Sequence, residues 1–188
     1  MFGRMLCAIS LVSVILVPEA HSSPRVLKGW TATVPGGSLR VEPARPTGCL
    51  GPFKGEGVML ASQTKGKSTL KWRTDWFALR EQVYLHKNGV YLVRVGAGGN
   101  LELKEQHDGL LFYKNGELIR RYSTQELIQD ASKVRFRKAL PKGCVRSYQF
   151  FKTIDGFKGG HFKVQTVDGS QLSFDFRTGT LKARTPAK

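Results

Sequence analysis

A mainly β chain, laid out as an antiparallel meander with one short helix and folded either as a sandwich or as a blade-like curved sheet, is predicted by three features of the sequence. The dipeptides Asn88-Gly89 and Asn115-Gly116 each sit between runs of apolar, β-branched and aromatic residues. A two-residue type I′ turn needs positive φ at both central positions, which Asn and Gly tolerate best, so each dipeptide predicts a β-hairpin. Elsewhere polar and apolar residues alternate with the period of two that sends successive side chains to opposite faces of a strand. Ser123-Thr124-Gln125-Glu126 has the capping-box pattern, in which a Ser side chain and a Glu three residues later satisfy each other's backbone donors and start a helix.

Taken in order, residues 23–54 include Pro24, Pro35, Pro43, Pro46 and Pro52. Proline removes ladder donors, so this part reads as an arm laid over the sheet, with short extended runs at 26–34 and 39–41 around Pro35-Gly36-Gly37. Residues 57–63 form a short apolar strand. Beyond it, Lys65, Lys67, Thr69, Lys71 and Arg73 share one face, and Leu70, Trp72 and Trp76 the other, which sends the tryptophans to the core. The two hairpins occupy 83–123 and are separated by Gly96-Ala97-Gly98-Gly99. A helix over 124–130 follows, anchored by Leu127 and Ile128. In 133–137 the basic Lys133, Arg135 and Arg137 point outward, and Val134 and Phe136 inward. Strands at 146–154 and 161–167 lead to a last hairpin that turns on Asp168-Gly169 and returns over 171–176, ending in Thr178-Gly179. The parity of these strands predicts Leu70, Trp72, Tyr91, Val93, Phe112, Val134, Phe136, Phe174 and Phe176 as core.

The chain has 188 residues, 40% of them hydrophobic, enough for one domain with an ordinary core. Its formal charge of +16 bears on solubility and anionic partners rather than on fold. Residues 21–80 carry ten Lys/Arg against three Asp/Glu, residues 81–130 six against seven, and residues 131–188 thirteen against three. The hairpin region is therefore close to neutral between two basic flanks. Arg4, the apolar run 5–17 and Ala20-His21-Ser22 have the charge, apolar length and small-x-small pattern of a secretory signal. Residues 1–22 are read as that signal and 23–188 as a single all-β domain, secreted or periplasmic. The apolar run is shorter than the roughly 20 residues that span a bilayer, so no transmembrane span is expected. Past the signal the cysteines are Cys49 and Cys144. In an oxidising compartment the economical expectation is one disulfide between them, which would stabilise the fold by about 4 to 5 kcal/mol on the chain-entropy model.

The phrases Phe112-Tyr-Lys-Asn-Gly-Glu-Leu-Ile-Arg-Arg-Tyr122 and Thr166-Val-Asp-Gly-Ser-Gln-Leu-Ser-Phe-Asp-Phe-Arg-Thr-Gly179 resemble outer-strand hairpins of β-propeller blades. They are also similar to a group of secreted bacterial proteins of unknown function that share blade-like repeats. The resemblance covers about half the chain and implies blade-like sheets, for which the length leaves room for about four at ~40 residues each. It implies no catalytic residue.

His86, His107 beside Asp108, and His161 lack the short-spaced ligand pair of a zinc site, so neither a metal nor another cofactor is expected. No Gly-x-Ser-x-Gly elbow occurs, and Gly96–Gly99 lacks the Gly-Lys-Ser/Thr ending of a phosphate loop. Carboxylates that meet only in space would support a secreted hydrolase, which stands as an alternative. The leading expectation is a non-enzymatic binding or structural module that associates with an anionic envelope polymer or surface, or with a partner protein. Lys65, Lys67, Lys71, Arg73, Lys133, Arg135 and Arg137 are its candidate binding residues, since cations at every second position of a strand can track a polyanion. Non-specific nucleic-acid binding is a further alternative, weakened because Trp72, Trp76 and Phe136 alternate away from the charges where stacking would need them.

Overall fold

The computed structural model describes residues 29–43, 54–60, 68–76, 83–96, 108–137 and 147–186. The expected signal segment 1–22, Cys49, Cys144, Lys65, Lys67 and His107 lie outside the described residues, and the expected disulfide lies there with them.

Three four-stranded antiparallel meanders follow one another along the chain. The first contains β1 (Trp30–Val34), β2 (Gly37–Pro43), β3 (Lys54–Leu60) and β4 (Leu70–Trp76); the middle one β5 (Val83–Leu85), β6 (Tyr91–Val95), β7 (Asp108–Lys114) and β8 (Glu117–Ser123). After a single helical turn, α1 (Thr124–Leu127), and a 3₁₀ turn at Ala131–Lys133, β9 (Arg135–Arg137) and β10 (Ser147–Gln149) pair as a two-stranded ribbon. The last sheet contains β11 (Phe151–Lys158), β12 (His161–Thr166), β13 (Gln171–Asp175) and β14 (Thr180–Thr185). The expected antiparallel β meander with one short helix is therefore what the chain forms, repeated three times.

Two cores hold the three sheets in series. Leu39, Val41, Met59, Trp72 and Trp76 of the first sheet pack on Leu92, Leu111 and Tyr113 of the middle sheet. The opposite face of the middle sheet, with Val93, Leu110, Phe112 and Tyr122, packs on Phe162, Val164, Leu172, Phe174 and Phe176. The second core is built largely of aromatic rings in tilted and edge-to-face contact, such as Phe112 against Phe162 at 6.0 Å and Tyr122 against Phe174 at 5.1 Å between centroids, the arrangements that ring quadrupoles favour. Each junction is also pinned by a buried polar side chain. Trp72 Nε1 donates to the Gly89 carbonyl at 2.9 Å, and the Tyr122 hydroxyl donates to the Gly179 carbonyl at 2.9 Å and accepts from the Leu181 amide at 3.0 Å. Buried hydroxyl and indole groups satisfied in this way fix the register between sheets without the cost of an unpaired donor.

Local chemistry explains where the sequence expectations hold and where they shift. Asn115 and Gly116 both have positive φ, 51° and 83°, so β7 and β8 are joined by the expected two-residue I′ turn. At Asn88-Gly89 only Gly89 is left-handed, with φ 69°. The loop there is wider: His86 N–H bonds Tyr91, Gly89 N–H bonds the His86 carbonyl, and Asn88 Oδ1 accepts from Val90 N, so the Asn side chain takes the role that a tight turn gives the backbone. Residues 30–43 are integral strands of the first sheet rather than an overlying arm. Leu39 and Val41 are completely buried, and Pro35 and Pro43 fall in the turn and at the end of β2, where a missing donor costs little.

The helix starts on the expected capping box, with Ser123 Oγ accepting from Glu126 N at 3.1 Å and Glu126 Oε2 from Ser123 N at 2.6 Å. It ends at Leu127, short of 130, because the next amides, those of Gln129 and Asp130, donate to the Asp168 carboxylate instead. Arg184 of β14 closes the helix by donating to the Glu126 and Leu127 carbonyls. Lys133 ends the 3₁₀ turn rather than opening a strand, and the strand expected over 146–154 is two strands, β10 and β11, in different sheets. Beyond Thr178-Gly179 the chain does not stop but pairs β14 with β13.

Of the expected core, Trp72, Val93, Phe112, Phe174 and Phe176 are buried. Tyr91 and Val134 are half-buried, and the Phe136 side chain is outside the described residues. Leu70 is 46% exposed. A bulge at Lys71 is the reason: Met59 faces Trp72 but Leu60 faces Leu70, so the extra residue flips Leu70 to the outer face.

Candidate functional site

The described candidate binding residues fall on separate elements, Lys71 and Arg73 on β4 and Arg135 and Arg137 on β9. Strand β4 edges the first sheet and β9 belongs to the separate ribbon, so the two basic stretches lie in different sheets. On β4, Lys71 Nζ donates to the Gly36 carbonyl at 2.6 Å and Arg73 pairs with Glu56 at 2.9 Å. Both are exposed yet engaged within the protein. A neighbouring pair, Arg40 with Glu42, leaves the outer face of the first sheet close to charge balance. Lys133 is exposed, and for Arg135 and Arg137 the structure describes only the backbone.

Solvent-facing cations gather instead on the last sheet. Strand β12 alternates Phe162, Val164 and Thr166 toward the middle sheet, which turns Lys163 to the opposite, outer face. Lys158 lies directly across from His161 at the β11–β12 turn. Lys152 and Lys182 occupy register shifts in β11 and β14. All four lysines are exposed, and Lys158 makes a loose contact of 3.8 Å with Asp155. Two of the nearby carboxylates are turned to the backbone: Asp175 accepts from Arg177 N at 2.9 Å, and Asp168 accepts from four donors.

Asp168 anchors the link between the middle and last sheets. Its Oδ2 accepts from the amides of Gln129 (2.7 Å) and Asp130 (3.2 Å), and its Oδ1 from the Ser170 amide (3.1 Å) and the Thr166 hydroxyl. Partial burial by itself would raise the carboxyl pKa, but the hydrogen bonds from Thr166, Ser170, Gln129 and Asp130 together outweigh it and bring the pKa down to about 2.

A cleft of about 530 Å³ opens between β3–β4 and the β7–β8 turn, lined by Gly55, Glu56, Arg73, Thr74, Asp75 and Gly116. It exists because Gly55 and Glu56 bulge out of the ladder between Lys54 and Gly57, while Gly116 lets the turn approach the Arg73 backbone without a Cβ in the way. Glu56 is neutralised by Arg73, leaving Asp75 as its second carboxylate.

The other groups that hydrolytic or metal chemistry would need are dispersed. Asp108 pairs with Arg121 at 2.6 Å and Asp155 with Lys158. His86 stacks on Phe176 at 4.6 Å with Phe157 at its edge. Among the described residues no three His, Cys, Asp or Glu side chains are grouped to hold a metal ion, and no helix there is long and apolar enough to cross a membrane.

Next to the cleft, behind Asp75, Trp76 lies between Tyr113, at 5.5 Å between centroids, and the Arg94 guanidinium, 5.2 Å from its ring. Burial raises the Tyr113 pKa above its ordinary value; the nearby Arg94 charge and hydrogen bonding oppose this, while Asp108 and Asp75 add to it. The sequence reading missed this cluster, Arg94 included, and the lysines of the last sheet. The outward parity of Lys163 was a legible signal; the positions of Lys152 and Lys182 depend on bulges. No family model, curated protein or solved structure matches the chain.

Proposed function

We propose that the chain is a secreted or periplasmic, non-enzymatic binding module that adheres to an anionic envelope polymer through the outer side of its last sheet. The observation that carries this reading is the set of exposed lysines there, Lys152, Lys158, Lys163 and Lys182, on a sheet whose residues 151–185 hold six Lys/Arg against three Asp/Glu. Each phosphate or similar group that a lysine neutralises releases counterions, so affinity should fall linearly in log K with log salt, with a slope that counts the contacts. The rings on the other side of this sheet, Phe162 and Phe174, are completely buried. Adhesion of this kind therefore rests on charge and not on base stacking.

The test is binding of the purified protein to lipopolysaccharide, heparin and DNA across a salt series. Reversing Lys158, Lys163 and Lys182 to Glu should flatten the slope for all three polymers, while Lys71→Glu with Arg73→Glu changes it much less, because those side chains are engaged internally. A triple variant that binds with the wild-type slope would refute the lysine face. A polymer retained by that variant at high salt would assign recognition to an uncharged site.

A further inference from the structure

The three stacked sheets have six edge strands, β1 and β4, β5 and β8, β11 and β14. Five of them carry the devices by which proteins keep an open edge from pairing with another chain, namely charged side chains, bulges or short length. β4 has Lys71, Arg73 and Asp75 and two register shifts, and β8 has Glu117, Arg120 and Arg121 and one shift. β11 has Lys152, Asp155 and Lys158 and two shifts, and β14 has Lys182 and Arg184 and one shift. β5 is three residues long. β1 has none of these guards. Its sequence, Trp-Thr-Ala-Thr-Val, is uncharged, and it pairs with β2 through five successive residues without a register shift. Among the described residues no strand lies on its outer side, and Thr31 and Thr33 are exposed. In an antiparallel ladder alternate residues turn their N–H and C=O groups away from the partner strand, so this edge offers donors and acceptors at the spacing a further strand takes up.

The residues of β1 also suit pairing with themselves. Set antiparallel across a two-fold axis at Ala32, Thr31 falls opposite Thr33 of a second copy, Ala32 opposite Ala32, and Trp30 opposite Val34. Thr–Thr and aromatic–β-branched neighbours are favourable cross-strand pairs, and no like charges meet. The parity is also right. Trp30 and Val34 of both copies stay on the side of the first core, where they already pack, and both threonine pairs stay outside; a slip of one residue would turn threonine toward the core.

We propose that the chain forms a two-fold dimer by antiparallel pairing of β1 with β1 of a second copy, joining their first sheets into one continuous sheet. Such an interface is isologous, with the same short segment contributed by each partner. It uses none of the lysines of the last sheet, and so stands independently of the polymer reading.

Sedimentation equilibrium of the purified protein over a concentration series tests this. The wild type should pass from monomer to dimer as concentration rises. Thr31→Lys with Thr33→Lys sets like charges opposite one another twice across the axis and should weaken the dimer by about tenfold, an effect that high salt relieves. Thr31→Lys with Thr33→Glu sets opposite charges in the same two places and should restore it. Circular dichroism of the monomers checks that both variants fold, and the Lys/Glu variant controls for the substitutions themselves. A wild type that stays monomeric at every concentration, or a dimer that the Lys/Lys variant leaves unchanged, overturns the proposal. A Lys/Glu variant as weak as Lys/Lys overturns the register centred on Ala32.

Discussion

Replacing Asp168 with Asn tests the link between the middle and last sheets most directly. The carboxylate accepts four hydrogen bonds, two on each oxygen, from Gln129, Asp130, Ser170 and Thr166. Asn keeps one acceptor oxygen and sets an NH₂ group against two donors, so one of the two pairs is lost and a donor faces a donor. Hydrogen bonds to a charged group are worth about 1.5–3 kcal/mol each in net terms. The pKa provides an independent measure. A fall from 3.8 to about 2 corresponds to an upper limit of about 2.4 kcal/mol, reduced to roughly 1–2 kcal/mol because the carboxylate is only partly buried and solvent screens it. Because the folded-state pKa is depressed, this stability is fully present above pH 3.8 and is lost as pH falls through about 2. Asp168→Asn should therefore lower Tm at pH 7 by about 2–8 °C, at roughly 2–4 °C per kcal/mol for a chain of this size. Thermal melts of both proteins from pH 7 to pH 1.5 should show the gap narrowing below pH 4, since other carboxylates titrate alike in both and cancel in the difference. Equal melting at pH 7, or a gap of constant size down to pH 1.5, would refute the role given to this carboxylate.

Trp72→Ala should cost about 3–5 kcal/mol in denaturant unfolding, as truncation of a buried aromatic does, and Trp72→Phe less, by leaving the Gly89 carbonyl without its donor. Leu70→Ser, at a position 46% exposed, should change stability by less than about 0.5 kcal/mol; a loss of 2 kcal/mol or more in the same assay would show that the side chain is covered in solution. Gly116→Ala should destabilise by about 1–3 kcal/mol, because the residue has φ 83° and a Cβ there would collide with the Arg73 carbonyl; circular dichroism melts would measure it.

The sequence announces an element wherever its cause is local. Asn115-Gly116 made the predicted turn because positive φ at both residues is an intrinsic preference, and the helix began at Ser123 because both halves of its cap lie within four residues. It failed to announce what depends on a neighbour brought in by the fold. Helix α1 stops early because Asp168, some forty residues away, takes the next amides. Leu70 faces outward because β3 pairs with β4 through a bulge. The same distinction explains the candidate sites. Lys163 was readable by parity, but Lys152 and Lys182 required register shifts, and nothing in the sequence brings Trp76 to Arg94, which approach each other only when one sheet is laid on the next.

The stacking of the sheets did leave a trace, in the contrast between their strands. In β4 and β12 buried residues alternate with exposed ones, the signature of a strand with one covered face. In β7 the five residues from Gly109 to Tyr113 are all buried, and β6 buries Leu92 and Val93 in succession. Strands covered on both faces read as continuous apolar runs, so Leu110-Leu111-Phe112-Tyr113 marks the middle layer: Leu111 and Tyr113 face the first sheet while Leu110 and Phe112 face the last. That run carries no charge of its own. The near-neutrality of the middle region comes instead from balance, since residues 81–130 set seven Asp/Glu against six Lys/Arg, and two of these arginines, Arg120 and Arg121, sit at exposed positions of β8. The first sheet is balanced in the same way, by Arg40 with Glu42 and Arg73 with Glu56, whereas Lys152, Lys163 and Lys182 of the last sheet stand exposed.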